Sequence, residues 1–258
     1  MFFSFFKRHA IPQYGTYGIP AGQRIYAIGD IHGRADLLSK LQAQILQDAD
    51  QSPHLEKSVI YLGDYVDRGP AVRETIDLAL NGLTGDFNIT WLRGNHEQLL
   101  LDFLEDSRTL TNWLDLGGLW TLRSYGVQCS HDSLMYRLAA SDIRKALIAA
   151  LPVAHLSFLS SLTVYKQLGD YLFVHAGVRP GVPLERQTSE DLLWIRNGFL
   201  NEHHGLECRV VHGHTISNQP ELHHGRISID TGAYATGNLT CAVFDEKGVR
   251  FLNTEARQ

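Results

Sequence analysis

The chain has 258 residues, which is enough for one large domain that buries a sizeable hydrophobic core. Hydrophobic residues make up 44% and charged residues 20% of the sequence, a composition that is ordinary for a soluble enzyme. The net charge of -5 and the pI near 6.2 leave no basic bias, so we expect no nucleic-acid partner and no electrostatic attachment to an anionic membrane.

Cysteine use and the first residues bear on where the protein acts. The three cysteines, Cys129, Cys208 and Cys241, are far apart and form no Cys-x-x-Cys pair. Because an odd number of scattered cysteines does not make a disulfide framework, we expect free thiols and a cytoplasmic location. Residues 1–22 begin with a phenylalanine-rich run that is too short to span a membrane. We predict a flexible tail there and no integral membrane association, with a peripheral membrane anchor as the alternative.

From residue 23 onward, a short apolar run followed by a glycine-rich polar loop occurs five times. The runs cover residues 24–28, 59–62, 89–92, 171–174 and 209–211. They are mostly apolar without clean alternation, which is typical of strands that are buried on both faces. Apolar stripes of helical spacing separate the first three runs, so the pattern predicts an α/β sheet whose polar loops open on one edge.

The stretch from about residue 99 to residue 168 interrupts this pattern. Its apolar residues recur at helical spacing, and Pro152 is expected to break the helical run. We therefore predict a single domain over residues 23–258, with a mainly helical insertion near residues 99–168 that flanks the site formed by the polar loops.

The polar loops together carry six candidate metal ligands, which are Asp30, His32, Asp64, Asn95, His175 and His214. A set of carboxylates, imidazoles and an amide suits Mn²⁺, Fe²⁺ or Zn²⁺ better than Ca²⁺, and its lack of cysteine argues against a structural zinc site. Two cations need a bridging carboxylate, for which Asp64 is the natural candidate. Paired ions about 3.5–4 Å apart generate hydroxide near neutral pH and hold an in-line displacement, so the set indicates hydrolysis of phosphate esters.

Any one of these residues alone is more often structural, whereas the ordered set of motifs is a specific signal. The motifs are Gly29-Asp30-Ile31-His32-Gly33, Gly63-Asp64-Tyr65-Val66-Asp67-Arg68-Gly69, Gly94-Asn95-His96-Glu97, His175-Ala176-Gly177 and Gly213-His214-Thr215. Together they resemble the PPP-type serine/threonine protein phosphatases of the calcineurin-like metallophosphoesterase superfamily, in particular the compact bacterial and phage members. The resemblance implies an α/β fold, a four-layer αββα sandwich of two mixed β-sheets flanked by helices.

The same resemblance implies a role for each residue of the motifs. One metal ion would be held by Asp30, His32 and Asp64, and the other by Asp64, Asn95, His175 and His214. His96 would be the general acid, and Asp67 would orient it. Arg68 would bind the substrate phosphate, and Arg196 matches the second phosphate-binding arginine within a looser motif. The implied cofactors are two divalent metal ions, with Mn²⁺ as our first choice and Fe or Zn as alternatives, and a hydroxide between them would attack phosphorus.

Three functions remain open at this point. The first is a phosphatase for phosphoprotein or phosphopeptide substrates, and the second is a symmetrical diadenosine tetraphosphate hydrolase. The second motif of that relative usually lacks the aspartate before arginine and its third motif usually ends in aspartate, so Asp67 and Glu97 favour the protein phosphatase. The third, a non-catalytic phosphate-binding scaffold, would require the loss of a ligand or of the acid, and no such loss is visible. The native metal and the oligomeric state stay undetermined.

Overall fold

The first three apolar runs form the parallel part of one sheet in the computed structural model, which describes residues 17–129 and 139–255. The strands of this first sheet are β1 (Gln23–Ile28), β2 (Glu56–Tyr61), β3 (Phe87–Trp91), β9 (Thr240–Asp245) and β10 (Gly248–Asn253). Their order is β10-β9-β1-β2-β3, with β1, β2 and β3 parallel and β9 antiparallel to both of its neighbours. Because β1, β2 and β3 run in the same direction, the loops that follow them leave at one edge of the sheet.

The later apolar runs belong to a second sheet. Its strands are β4 (Tyr165–Leu168), β5 (Tyr171–Val174), β6 (Arg209–His212), β7 (Glu221–Leu222) and β8 (Arg226–Ser228). Their order is β4-β5-β6-β8-β7, with β5, β6 and β8 parallel and with β4 and β7 antiparallel at the two edges. This sheet therefore presents its own set of loops at the carboxyl ends of its parallel strands.

The two sheets pack face to face, and side-chain alternation along β1 shows how. Ile25 and Ala27 lie in an apolar cluster that also contains Phe173 of the second sheet, so this face of β1 points between the sheets. Tyr26 lies in a different cluster together with Leu38 of the first helix, so the other face of β1 is covered by helices. Because both faces of β1 are covered, its sequence is apolar on both faces and does not alternate with polar residues.

Helices cover the two outer faces of this pair of sheets. The described α-helices are α1 (Ala35–Asp50), α2 (Val72–Asn81), α3 (Asn95–Glu105), α4 (Leu110–Asp115), α5 (Gly118–Ser124), α6 (Ala140–Ala150), α7 (Val153–Ser161), α8 (Ser189–Trp194), α9 (Asn197–Asn201) and α10 (Ala233–Thr236), with short 3₁₀ turns at Ser107–Thr109 and Leu184–Arg186. Helices α1 to α7 contribute to the cluster on the first sheet, and Leu192 of α8 and Phe199 of α9 pack on the second. The predicted four-layer αββα sandwich is confirmed.

The predicted insertion is helical for most of its length but not to its end. Helices α4 to α7 lie within it, and Pro152 precedes α7 as the expected break. Residues 165–168, however, form β4, because Gly169 takes a left-handed φ of 58° and turns the chain into a hairpin with β5. Residues 130–138 of the predicted insertion lie outside the described residues. Within the described residues, no single helix is long and apolar enough to span a membrane. Helices α6 and α7 reach that length and apolar content only as a pair, and they meet at a bend of 103°.

The predicted tail, residues 1–22, is described only from residue 17 onward. These six residues have no regular structure before β1, yet they are held against the second sheet. The backbone N–H of Gly18 donates to the Asp170 carboxylate at 2.8 Å, and the Tyr17 ring packs against Tyr171 with a centroid separation of 6.2 Å. Residues 17–22 are therefore anchored to the protein, and residues 1–16 lie outside the described residues.

An ionic network around Asp48 ties α1 to the first sheet. The Asp48 carboxylate accepts hydrogen bonds from the Tyr26 hydroxyl at 2.8 Å, from Arg24 at 3.1 Å and from Arg250 at 2.6 Å. Arg24 also pairs with Asp245 at 3.2 Å. The network joins β1, β9 and β10 at the opposite end of the strands from the polar loops, and Asp48 balances two arginines within it.

We expect Asp48→Asn to lower the free energy of unfolding by about 1–3 kcal/mol, because the substitution removes a charged acceptor from the largely buried Arg24 guanidinium. Urea denaturation of the full chain measures this change. Asp50→Asn, an exposed substitution at the end of the same helix, is the matched control and should change stability by less than about 0.5 kcal/mol. Equal losses in the two variants would show that the network does not stabilise the sheet.

Candidate active site

Unusual backbone conformations concentrate in the loops at the carboxyl ends of the strands. Within residues 17–129 and 139–255, five non-glycine residues have positive φ angles between 48° and 68°; they are His32, Asp64, Asp67, Arg68 and His214. A left-handed conformation costs an ordinary residue about 1–2 kcal/mol, so surrounding contacts must impose it. Such strain collects at functional sites, and all five residues belong to the motifs that the sequence singled out.

These loops bring all six predicted ligands together around Asp64. His32 Nε2 lies 3.3 Å from one Asp64 oxygen, and His175 Nε2 lies 3.5 Å from the other. On the second side, the Asn95 side-chain oxygen is 2.9 Å from both His175 Nε2 and His214 Nδ1. Asp30 joins the cluster by accepting the His214 backbone N–H at 3.0 Å. Asp64 is shared by two buried groups that could each hold a metal ion, one with His32 and His96 and the other with His175 and His214. The first group contains His96 in place of the predicted ligand Asp30.

The hydrogen bonds of two histidines show that this cluster suits cations. His175 Nδ1 donates to the Leu62 carbonyl at 3.0 Å, so its Nε2 carries a lone pair that points at the Asn95 oxygen. His32 Nδ1 likewise donates to the Val66 carbonyl at 2.9 Å, and its Nε2 lies 3.3 Å from Asp64. The His175 Nε2 lone pair and the Asn95 oxygen, 2.9 Å apart, repel each other unless a positive charge lies between them. The residues therefore fit metal ions.

The charge state of the buried groups leads to the same conclusion. Burial, followed by the negative charges of Asp230 and Asp64, raises the pKa of the Asp30 carboxyl well above its usual range. One Asp30 oxygen has no hydrogen-bond partner among the described residues. Burial, followed by the charge of His175, lowers the pKa of His214 to about 2, so His214 is neutral and able to bind a metal. Cations would stabilise the carboxylates that burial disfavours.

Glu97 holds the loop that carries Asp64. Its carboxylate accepts four backbone N–H groups at 2.8–3.1 Å, those of Asp64, Tyr65, Val66 and Gly94. Burial and the charge of Asp64 raise the pKa of Glu97 to about 8, and the backbone donors of Gly94, Val66 and Asp64 act in the opposite direction. Glu97 therefore supports the backbone of the loop that carries Asp64.

The side chain of His96 is held at one end and free at the other. Its Nδ1 lies 2.7 Å from Asp67, and its Nε2 is buried without a partner in the described part of the chain, 4.0 Å from an Asp64 oxygen. Asp67 also accepts from the Trp113 indole N–H at 3.0 Å and from the Thr121 hydroxyl. Trp113 and Thr121 were not identified from the sequence, because they stand 46 and 54 residues downstream in the helical insertion without any local motif.

Two arginines lie beside the cluster. Arg68 lies 3.2 Å from His32 Nε2, and its guanidinium carbon is 4.9 Å from the centre of the Tyr234 ring. Arg196 is exposed, and its charge contributes to the lowered pKa of His214, after burial and His175. Within the described residues no hydrogen bond or ion pair occupies the Arg196 side chain. The arrangement places two positive groups next to the candidate metal site, where an anionic substrate would be bound.

Comparison with known proteins identifies this arrangement. The model of the calcineurin-like phosphoesterase family matches residues 23–249. The chain belongs to this family. Serine/threonine-protein phosphatase 1 of Salmonella typhimurium is 28% identical to this chain over 225 residues, and the match covers 85% of this chain and 91% of the relative. The asymmetrical bis(5'-nucleosyl)-tetraphosphatase PrpE of Oceanobacillus iheyensis is 25% identical over 254 residues, covering 91% and 93%.

Among solved structures, the cold-active protein-tyrosine phosphatase of a psychrophilic Shewanella resembles this protein with a TM-score of 0.57 at 18% identity. The match covers 92% of this chain and 81% of the chain of that phosphatase. At this identity the likeness concerns the fold alone. The predicted resemblance to the PPP-type phosphatases is confirmed by the family and by the phosphatase relatives. The protein is thus a hydrolase of phosphoric esters, from a family that uses a dinuclear metal centre.

We expect Gly94→Ala to weaken divalent metal binding about 10–100-fold, the loss typical when a group that orients a metal ligand is changed. A β-carbon at this position would lie 2.0 Å from an Asp64 carboxylate oxygen, so Asp64 would have to move. Metal titration by calorimetry, with circular dichroism to check the fold, measures the effect. Gly198→Ala, whose added carbon would meet its nearest neighbour at 4.0 Å, is the control. Undiminished affinity in the Gly94 variant would contradict the role of Asp64.

Proposed function

We propose that this protein is a metal-dependent phosphomonoesterase, and specifically a protein serine/threonine phosphatase. The observation that carries the proposal is the His96–Asp67 pair beside the ligand cluster, with an unpartnered His96 Nε2 close to Asp64. A phosphorylated serine or threonine leaves as an alkoxide, which is a poor leaving group and gains most from a positioned acid. The serine/threonine phosphatase named among the relatives supports the same substrate class.

In the proposed mechanism, each side chain has one task. Asp30, His32 and Asp64 would hold one ion, and Asp64, Asn95, His175 and His214 would hold the other. Bound there, the two ions supply Lewis acidity and a hydroxide nucleophile near neutral pH. Of the three metals that suit carboxylate, amide and imidazole ligands, Mn²⁺ is our choice over Fe and Zn.

The substrate is handled by residues that do not bind metal in this scheme. Arg68 and Arg196 bind phosphate oxygens through planar guanidinium groups, which grip two oxygens at once. His96 gives the proton on Nε2 to the leaving alkoxide. Asp67 accepts a hydrogen bond from His96 Nδ1–H, which keeps Nε2 directed toward the substrate and stabilises the charged imidazole.

A dinucleoside tetraphosphatase is the second candidate, because a relative with that activity in its name covers almost the whole chain. That relative is called asymmetrical, whereas the sequence motifs were compared with the symmetrical enzymes. The leaving group in a polyphosphate is itself a phosphate and departs with little protonation, so the buried His96–Asp67 pair would contribute less there. This difference makes the phosphoprotein the better substrate for the observed geometry.

Two broader proposals accompany the function. Within the described residues, Cys208 and Cys241 form no disulfide, which favours a reducing compartment, and we propose the cytoplasm. We also propose that residues 23–258 act as one catalytic domain, preceded by the segment 1–22 and containing the insertion at 99–168.

We expect the Mn²⁺-loaded protein to hydrolyse phosphoserine and phosphothreonine peptides with a higher kcat/KM than diadenosine tetraphosphate. Removal of divalent ions with a chelator should abolish turnover, and Mn²⁺ should restore it, because the nucleophile depends on the ions. Phosphate release and nucleotide chromatography measure the two reactions, with a phosphotyrosine peptide in the same panel. Faster cleavage of the dinucleotide would select the second candidate, and full activity without metal would reject both.

We expect His96→Asn to reduce kcat on a phosphoserine peptide by about 10²–10⁴-fold, the usual contribution of a general acid. The reduction should be much smaller for p-nitrophenyl phosphate, whose leaving group needs little protonation. Both esters are assayed at saturating metal, and elemental analysis counts the bound ions. Equal reductions for the two esters would argue against an acid, and loss of an ion would make His96 a metal ligand.

A further inference from the structure

The helical insertion touches the candidate active site at two consecutive residues, Asp67 and Arg68. Both have left-handed backbone angles, with φ of 68° and 65°. The Asp67 N–H donates to the Thr121 hydroxyl at 3.0 Å, and the Arg68 N–H donates to the Gly117 carbonyl at 3.3 Å. Two adjacent left-handed residues would cost about 2–4 kcal/mol together, so these contacts with the insertion are what compensate for the strain.

Side-chain contacts with the insertion are as specific as the backbone contacts. The Thr121 hydroxyl donates to one Asp67 oxygen, and the Trp113 indole N–H lies 3.1 Å and 3.0 Å from the two oxygens. His96 Nδ1 takes the remaining position at 2.7 Å. With its other acceptor sites occupied, the carboxylate has one direction left for the imidazole, which fixes the ring and the direction of Nε2.

We propose that α4, α5 and the turn between them form a positioning element, in which Thr121 and Trp113 orient the His96 acid through Asp67 while Gly117 orients Arg68. The inference rests on the proposed function, since it assigns an effect on the proton donor and on the phosphate-binding arginine. None of the three residues reaches the metal ligands through a hydrogen bond of its own.

Gly117 acts separately from Thr121, because Gly117 contacts Arg68 whereas Thr121 contacts Asp67. Its φ is 114°, which favours glycine, and an added β-carbon would lie 2.9 Å from Arg68 Cγ. A side chain at position 117 would therefore push the guanidinium stem away from the cluster. Displacement of Arg68 weakens the grip on phosphate for every ester, whereas displacement of His96 matters only for poor leaving groups.

The decisive variant is Thr121→Val, which keeps the shape of the side chain and removes its hydroxyl. We expect kcat on a phosphoserine peptide to fall about 10–100-fold, within the range set by loss of the acid, with KM nearly unchanged and a smaller fall for p-nitrophenyl phosphate. Thr121→Ser retains the hydroxyl and should restore most of the activity. Thr75→Val is the matched control, because Thr75 is also fully buried but donates to the Ala71 carbonyl within α2.

Gly117→Ala completes the kinetic test with the opposite pattern. We expect KM to rise several-fold for both esters and the ratio of their kcat values to stay as in the unchanged protein. If the loss of kcat in Gly117→Ala depended on the leaving group, the division of roles would be overturned. An equal loss of kcat for both esters in Thr121→Val would overturn it as well.

A spectroscopic measurement tests the positioning without relying on turnover. In the full chain without added metal, the His96 Nδ1–H proton should give a downfield NMR signal, identified by its loss in His96→Asn. We expect Thr121→Val to shift or broaden this signal and Thr75→Val to leave it unchanged. An unchanged signal and unchanged kinetics in Thr121→Val would overturn the proposal. If the unchanged protein hydrolyses no phosphomonoester, the proposed function fails, and the NMR result still decides whether the insertion orients His96.

Discussion

The buried carboxylate of Asp64 is the feature on which the rest of the site depends. Its oxygens lie 3.3 Å from His32 Nε2 and 3.5 Å from His175 Nε2, in a region from which water is largely excluded. Burial of a charge among acceptors is unfavourable unless positive charge compensates for it. Cations at this point would satisfy Asp64 and both histidines at once. The chemistry proposed for the protein follows from that electrostatic demand more than from any single residue.

The sandwich architecture explains how six ligands from distant parts of the chain reach one point. The first sheet supplies Asp30, His32, Asp64 and Asn95 from loops after β1, β2 and β3, and the second supplies His175 and His214 after β5 and β6. The two sheets must therefore approach closely at this edge. Gly29 shows how closely, since a β-carbon there would lie 2.6 Å from the Ile229 carbonyl of the other sheet. The glycines of the motifs are thus required by the packing of the layers as well as by the turns.

Features that are encoded in a short stretch of sequence could be predicted, whereas contacts between residues that are distant in the sequence could not. Strands such as β5 and the polar loops after them are encoded in short, contiguous patterns, so these strands were predicted at the observed positions. The strand β4 was assigned to the helical insertion, because Tyr165–Leu168 is short and its pairing depends on the following turn. Trp113 and Thr121 were not predicted for a different reason. Their relation to Asp67 exists only in space, and a tryptophan or threonine in a short helix has no distinguishing local pattern.

The charge of the molecule adds a last argument about the substrate. The chain has a net charge of -5, so a polyanion that approaches it is repelled except near local positive groups. At physiological ionic strength such repulsion fades within about 8 Å, which leaves local groups to decide what binds. Arg68 and Arg196 would each pair with the oxygens of one phosphate group, and that pairing suits a single terminal phosphate on a protein side chain. A dinucleoside tetraphosphate carries further phosphates, which these two arginines would leave unpaired. Local charge therefore favours the monoester for the same reason that the buried acid does: both are arranged around one phosphate and one leaving oxygen.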